Sequence, residues 1–178
     1  MTRNVTQDFL IYISAALGIT LFLYYVPDYF FLEQWTAFSS ARILNLAGVS
    51  LGYTSTSHEA FVGPIQVIRE CTGIQVIAVM SGLILPIRRT SWVRKVRVLL
   101  IASAILLLMN LLRIALEIWL VYYHILPWSL AHYPLSLVLG IVGVYSLVLI
   151  SDRVLPEFGD QITCFYLHFA KTSADSEP

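Results

Sequence analysis

The stretch Val98–Tyr123, VLLIASAILLLMNLLRIALEIWLVYY, decides what kind of protein this is. Apart from three residues it is apolar for at least the length a helix needs to cross a bilayer, and a soluble core built from 178 residues has no room for such a segment. Asn110, Arg113 and Glu117 are its strongly polar residues. Spaced three and four apart, they share one face of the helix, and that face must turn into a bundle rather than toward lipid. An arginine inside an apolar span costs a few kcal/mol, so Arg113 is a candidate functional residue from the outset.

Three further apolar runs flank this one. Phe9–Val26 rises about 27 Å as a helix, close to a bilayer core, and lacks both a net basic start and a small-residue cleavage site, so it reads as a retained span rather than a signal peptide. Thr72–Ile87 follows directly on Cys71 and is shorter, roughly 24 Å; its Thr72, Gln75, Ser81 and Gly82 are expected against other helices. Pro134–Ile150 carries Gly140 and Gly143, which suit close helix contact. Between the first two runs, Thr36–Tyr53 reads as an interfacial or re-entrant helix despite Arg42, and Phe61–Arg69 as a short extended segment that delivers the chain to Cys71. The fold class is therefore an all-α polytopic transmembrane bundle with four or five spans and an outer-face re-entrant or interfacial segment. No linker or charge block divides the chain, which reads as one integral membrane domain over residues 1–178, with 151–178 as a cytoplasmic tail.

Composition agrees: 58% of the residues are hydrophobic and 12% charged, and 11 basic residues balance 11 acidic ones. That balance leaves no basic surplus to attract nucleic acid. The basic residues are not evenly spread, since the loop Arg88–Arg97 holds Arg88, Arg89, Arg94, Lys95 and Arg97. By the positive-inside rule that loop is cytoplasmic, which makes Cys71 external and sets the protein in the cell membrane with its active site toward the extracytoplasmic face. The two cysteines, Cys71 and Cys164, then lie on opposite sides, so no disulfide joins them. Neither CxxC nor HExxH spacing is present, and no metal or cofactor is expected.

On this topology Cys71, Arg113 and His132 come from three segments yet reach one membrane level. Together they suit acyl transfer. A thiolate attacks a peptide carbonyl, a histidine shuttles the proton, and a guanidinium that cannot lose its own proton steadies the oxyanion. Glu70 beside the thiol opposes this by favouring the protonated form, unless it is paired with Arg69 or Arg113. Each residue also has a plainer use: Cys71 as a small buried hydrophobe, Arg113 as the partner of Glu117 or Asn110, His132 as part of an aromatic belt with Trp119, Tyr122, Tyr123 and Trp128. Cys164 and His168, in the tail, are assigned no chemistry, and His58 and His124 are expected to be solvated.

The segments Glu70-Cys71-Thr72-Gly73-Ile74 and Asn110-Leu111-Leu112-Arg113-Ile114, followed by His132, resemble the exosortase/archaeosortase family over about residues 61–140. The resemblance implies Cys71, Arg113 and His132 as the catalytic set; beside them Glu70, Thr72, Gly73, Asn110 and Glu117 are candidate supporting residues. It implies a membrane cysteine transpeptidase or protease. Its substrates would be secreted or surface proteins ending in a tripartite sorting signal of short motif, transmembrane helix and basic cluster. The acyl group would pass through a thioester to a membrane lipid, another nucleophile or water. His132 stands where exosortases usually carry His and archaeosortases often Arg, and the branch is left open. The competing reading is a non-enzymatic membrane scaffold in which Arg113–Glu117 is structural.

Overall fold

A computed structural model describes residues 5–88 and 90–174; Arg89 of the basic loop, the end of the tail and the side chain of His168 lie outside the described residues. In chain order the elements are α1 (Val5–Tyr25), α2 (Phe30–Leu46), strands β1 (Tyr53–Ser55), β2 (Ala60–Val62) and β3 (Ile65–Val67), a 3-10 turn (Arg69–Thr72), α3 (Ile74–Ile84), α4 (Trp92–Tyr122), α5 (Trp128–Leu130), a π turn (Ala131–Leu135), α6 (Ser136–Val154) and α7 (Pro156–Ala174). Helix dominates, as the hydropathy pattern predicts. Among the described residues three helices are long and apolar enough to cross a membrane: α1, α4 and the continuous run Trp128–Val154.

The count is three rather than four or five, and the reason is local. Within Thr72–Ile87 only the 11 residues of α3 are helical, a rise of about 16 Å against a bilayer core of about 30 Å. Its first residues are spent on a turn through Gly73, whose φ is +77, and Pro86 stops it by disfavouring helical geometry at the residue before. Thr36–Tyr53 supplies no fifth span, because helix α2 begins earlier, at Phe30, carries Glu33 and Arg42, and ends at Leu46. There the Gly48 N–H meets the Asn45 carbonyl and the Val49 N–H the Leu44 carbonyl, with Gly48 at φ +84. This is a Schellman stop, and its apolar pair, Leu44 and Val49, is fully buried.

The contacts group into two units. One comprises Pro27–Val76 and Ser103–Ser146. Here β1, β2 and β3 form an antiparallel sheet in which Ala60 pairs with both Ser55 and Val67. The extended reading of 61–69 thus becomes two strands joined by a Gly63-Pro64 turn, with Gly63 at φ +58, the glycine-first pattern of a two-residue hairpin loop. The sheet's buried side chains, Ala60, Val62 and Val67, pack with Ala37, Ala41 and Leu44 of α2 and with Ile114, Ala115 and Ile118 of α4. Each large side chain buried there contributes about 1.5–3 kcal/mol.

The other unit comprises Met1–Val26, Ile77–Ala102 and Leu147–Pro178. Tyr12 donates to the Leu83 carbonyl at 2.7 Å and Thr20 to the Ala78 carbonyl at 3.4 Å. Gly82 lies so close to α1 that a Cβ would stand 2.5 Å from the Ala16 carbonyl oxygen, as its sequence context predicts. The basic loop is tied down by Arg88 to Asp8 at 3.2 Å, Arg94 to Glu157 at 3.0 Å, and Lys95 to the Leu85 carbonyl at 2.6 Å. Within the tail, α7 packs on α1 through Phe165 against Phe9 and Tyr12, with ring centroids 5.1 and 5.7 Å apart.

Candidate active site

Cys71 sits on the 3-10 turn between β3 and α3, where its N–H donates to the Ile68 carbonyl at 2.8 Å. Thr72 and Gly73 build that turn. The Thr72 hydroxyl, wholly buried, donates to the Arg69 carbonyl at 2.7 Å and accepts from the Ile74 N–H at 3.4 Å. Gly73 takes the left-handed conformation that swings the chain from the turn into α3. At its start the turn is braced by Arg69, whose guanidinium lies 5.9 Å from the centre of the Tyr29 ring.

Asn110 joins this turn to α4. Its side-chain amide donates to the Cys71 carbonyl, and a Cβ on Gly73 would stand 3.5 Å from Asn110 Cβ. The two motifs singled out in the sequence therefore touch. Cys71 itself is half-buried and free, and it packs against the cluster that contains Ile114, Ala115 and Ile118. Burial pushes its thiol above the ordinary value; the bond to Ile68 and the charge of Arg113 pull it down, while Glu117 and Glu70 push it up. The net direction is upward, so the resting group at neutral pH is a thiol.

Glu117 is the hub. It is 2% exposed, and three side chains converge on its carboxylate. Arg113 Nε lies 3.3 Å from Oε1, His132 Nδ1 lies 3.1 Å from Oε2, and the Ser136 hydroxyl donates to Oε1. The Arg113 contact is an ion pair by distance without hydrogen-bond alignment, since Arg113 Nε is buried with no hydrogen-bond partner. His132 is held further by stacking on Trp128, ring centroids 4.9 Å apart and planes 9° from parallel. It lies inside the π turn, two residues past Leu130, whose carbonyl Pro134 would clash with in a regular helix. Widening the helix there absorbs the proline and presents His132 and Ser136 to the same carboxylate.

Arg113 and His132 are thus brought together through Glu117, and Arg113 acts on Cys71 through its charge. Among the described residues no hydrogen bond joins His132 to Cys71. Ser136 is the residue the sequence reading misses. Its signal was the four-residue spacing from His132, hidden because Pro134 suggests a helix start rather than a helix running through from Trp128.

Beside the turn lies a cleft of about 280 Å³. Glu70, Gln75, Asn110 and Arg113 give it a polar end, and Leu112 and Leu116 line it along α4. Gly140 and Gly143 form part of its wall, with nothing within 4 Å of where their Cβ atoms would sit. The expected close helix contact at these glycines is absent; they border open space instead. His58 and His124 are exposed, as the sequence suggests, and no group of residues among those described could hold a metal ion.

The transmembrane exosortase family model (Exosortase_EpsH) matches residues 5–151, the larger part of the chain. The chain belongs to the exosortase family. The match begins in α1 and takes in the whole of the turn, α4 and the π turn, so it extends well beyond the motif-bearing 61–140. Exosortases are membrane cysteine transpeptidases and proteases, and this exosortase is a multi-pass membrane protein by its apolar helices. No curated protein and no solved structure matches the chain.

Proposed function

We propose that the protein is an exosortase-type cysteine transpeptidase that cleaves the carboxyl-terminal sorting signal of exported surface proteins at the extracytoplasmic face. One observation carries this reading. The cysteine of a tightly built turn is bonded through its carbonyl to α4, three residues before a half-buried arginine whose charge favours the thiolate.

The raised thiol requires a base at the moment of attack, and the imidazole of His132 can take that proton and later return it. As Sγ bonds to the substrate carbonyl carbon, its proton passes to His132 and the carbonyl oxygen becomes an oxyanion stabilised by Arg113. The C–N bond then breaks, the leaving amine takes the proton from His132, and a thioester to Cys71 remains. A lipid head group, another nucleophile or water attacks the thioester, gives its proton to His132, and expels the Cys71 thiolate, which takes that proton back. Asn110 holds the turn in place. The basic loop, which favours the cytoplasm, leads into α4, and Asn110, bonded to the Cys71 carbonyl, lies about 27 Å further along that helix than Trp92, which supports an external Cys71 without α3 as a span.

The test is to express the chain in membranes with a substrate ending in short motif, apolar helix and basic cluster, and to follow substrate size. Wild type should shorten it; Cys71→Ser and Cys71→Ala, at equal abundance, should not. Processing by both variants would sink the reading. It would favour a scaffold instead, for which the carboxylate of Glu117, bound to residues of two helices, is a sufficient structural clamp.

A further inference from the structure

The geometry points to Glu117 as a positioning residue, one that touches no reacting atom but fixes which nitrogen of His132 works and which edge of Arg113 faces the reaction; this inference rests on the function proposed above.

His132 Nδ1 is committed to Glu117 Oε2 at 3.1 Å, and among the described residues its Nε2 has no hydrogen-bond partner. A carboxylate on Nδ1 holds the neutral ring with its proton on that nitrogen, leaving Nε2 as the lone-pair site that can accept the thiol proton. When Nε2 takes that proton the ring becomes a cation, and the carboxylate already beside it stabilises the charge. Trp128, stacked on the ring, restricts its tilt, so the Glu117 contact and the stack together leave it one orientation. On Arg113 the same carboxylate lies 3.3 Å from Nε. The Arg113 side chain lines the cleft beside Glu70 and Asn110.

Glu117 in turn is held by Ser136, whose hydroxyl donates to the oxygen that Arg113 approaches, while His132 takes the other. A carboxylate buried in an apolar span is costly unless its oxygens are engaged, and here both are. A clamp whose only purpose was to join α4 to α6 would need one such contact. Dividing the two oxygens between the two proposed reactive side chains ties their relative position to a single rigid group.

The experiment compares Glu117→Gln, Glu117→Asp and Ser136→Ala with wild type and Cys71→Ser in the substrate-processing assay, with protein abundance measured for each. Glu117→Gln keeps size and hydrogen-bonding capacity but loses the charge, and should lower kcat about 100-fold or more while leaving KM within about twofold. Glu117→Asp keeps the charge on a shorter arm and should recover at least about tenfold of that loss. Wild-type kcat in Glu117→Gln, or no recovery in Glu117→Asp, overturns the inference while leaving the proposed function standing as long as Cys71→Ser is inert. If Glu117→Gln does not accumulate, Ser136→Ala decides: a kcat lowered several-fold at unchanged KM supports the positioning role, and an unchanged kcat overturns it. An active Cys71→Ser sinks both readings together.

Discussion

Cys71 sits in opposed fields, and their balance is measurable. Burial is the largest influence and favours the neutral thiol; among the charges, Arg113 works against it and Glu70 and Glu117 with it. In a Cys164→Ser background, alkylation of Cys71 by a neutral reagent should therefore rise only at pH above the range of an ordinary thiol. Removing a negative neighbour makes the thiolate easier to form, so Glu70→Gln should move the alkylation curve to lower pH. Arg113→Gln removes the favourable charge and should move it to higher pH. Curves that superimpose for all three proteins would show that neither charge reaches the sulfur. At this scale the sequence was informative: Glu70 beside the thiol announces its opposing effect, and the Asn110-Arg113-Glu117 spacing puts three polar groups on one face. What it did not reveal is that Glu117, rather than Arg113, is the point where partners converge, because a three- and four-residue spacing treats all members of a helical face alike.

Among the helices, the glycines separate into two classes that look identical in sequence. Gly82 is pressed against α1, where a Cβ would stand 2.5 Å from the backbone oxygen of Ala16; Gly140 and Gly143 have no neighbour within 4 Å. Gly82→Ala should overpack that contact and cost about 1–3 kcal/mol, seen as a lower unfolding midpoint in detergent. Gly140→Ala should be neutral or slightly stabilising, since alanine favours helix by roughly 0.8–1 kcal/mol over glycine. Equal effects at the two positions would contradict the packing described. The length of α3 was likewise hidden from hydropathy: Thr72 and Gly73 are compatible with an apolar run, yet their side-chain bond and left-handed backbone assign them to a turn. The same turn supplies the physical reason for the Cys-Thr-Gly order, with threonine capping α3 and glycine reversing the chain.

For the molecule as a whole, orientation rests on the basic loop, whose Arg88, Arg94 and Lys95 are anchored to Asp8, Glu157 and the Leu85 carbonyl. Positive charge favours the cytoplasm, and the function proposed above requires the segment carrying Cys71 on the other side. His58 is exposed, beyond the end of β1, and makes a convenient reporter. His58→Cys, in a chain carrying Cys71→Ser and Cys164→Ser, should be labelled by a membrane-impermeant maleimide added to intact cells; labelling only after lysis would reverse the orientation. The sequence by itself determined that the chain lives in lipid, that Asn110, Arg113 and Glu117 share a helical face, and that a cysteine opens an apolar segment. These follow from hydropathy and periodicity, which are properties of neighbouring residues. Only the tertiary structure decided that Asn110 reaches Cys71 across 39 positions, that His132 and Ser136 meet on Glu117, and that the glycines of α6 border a cleft. Those contacts join segments separated by turns and a distorted helix, and their partners are selected by how buried surfaces and buried charges are satisfied together, which no local pattern encodes.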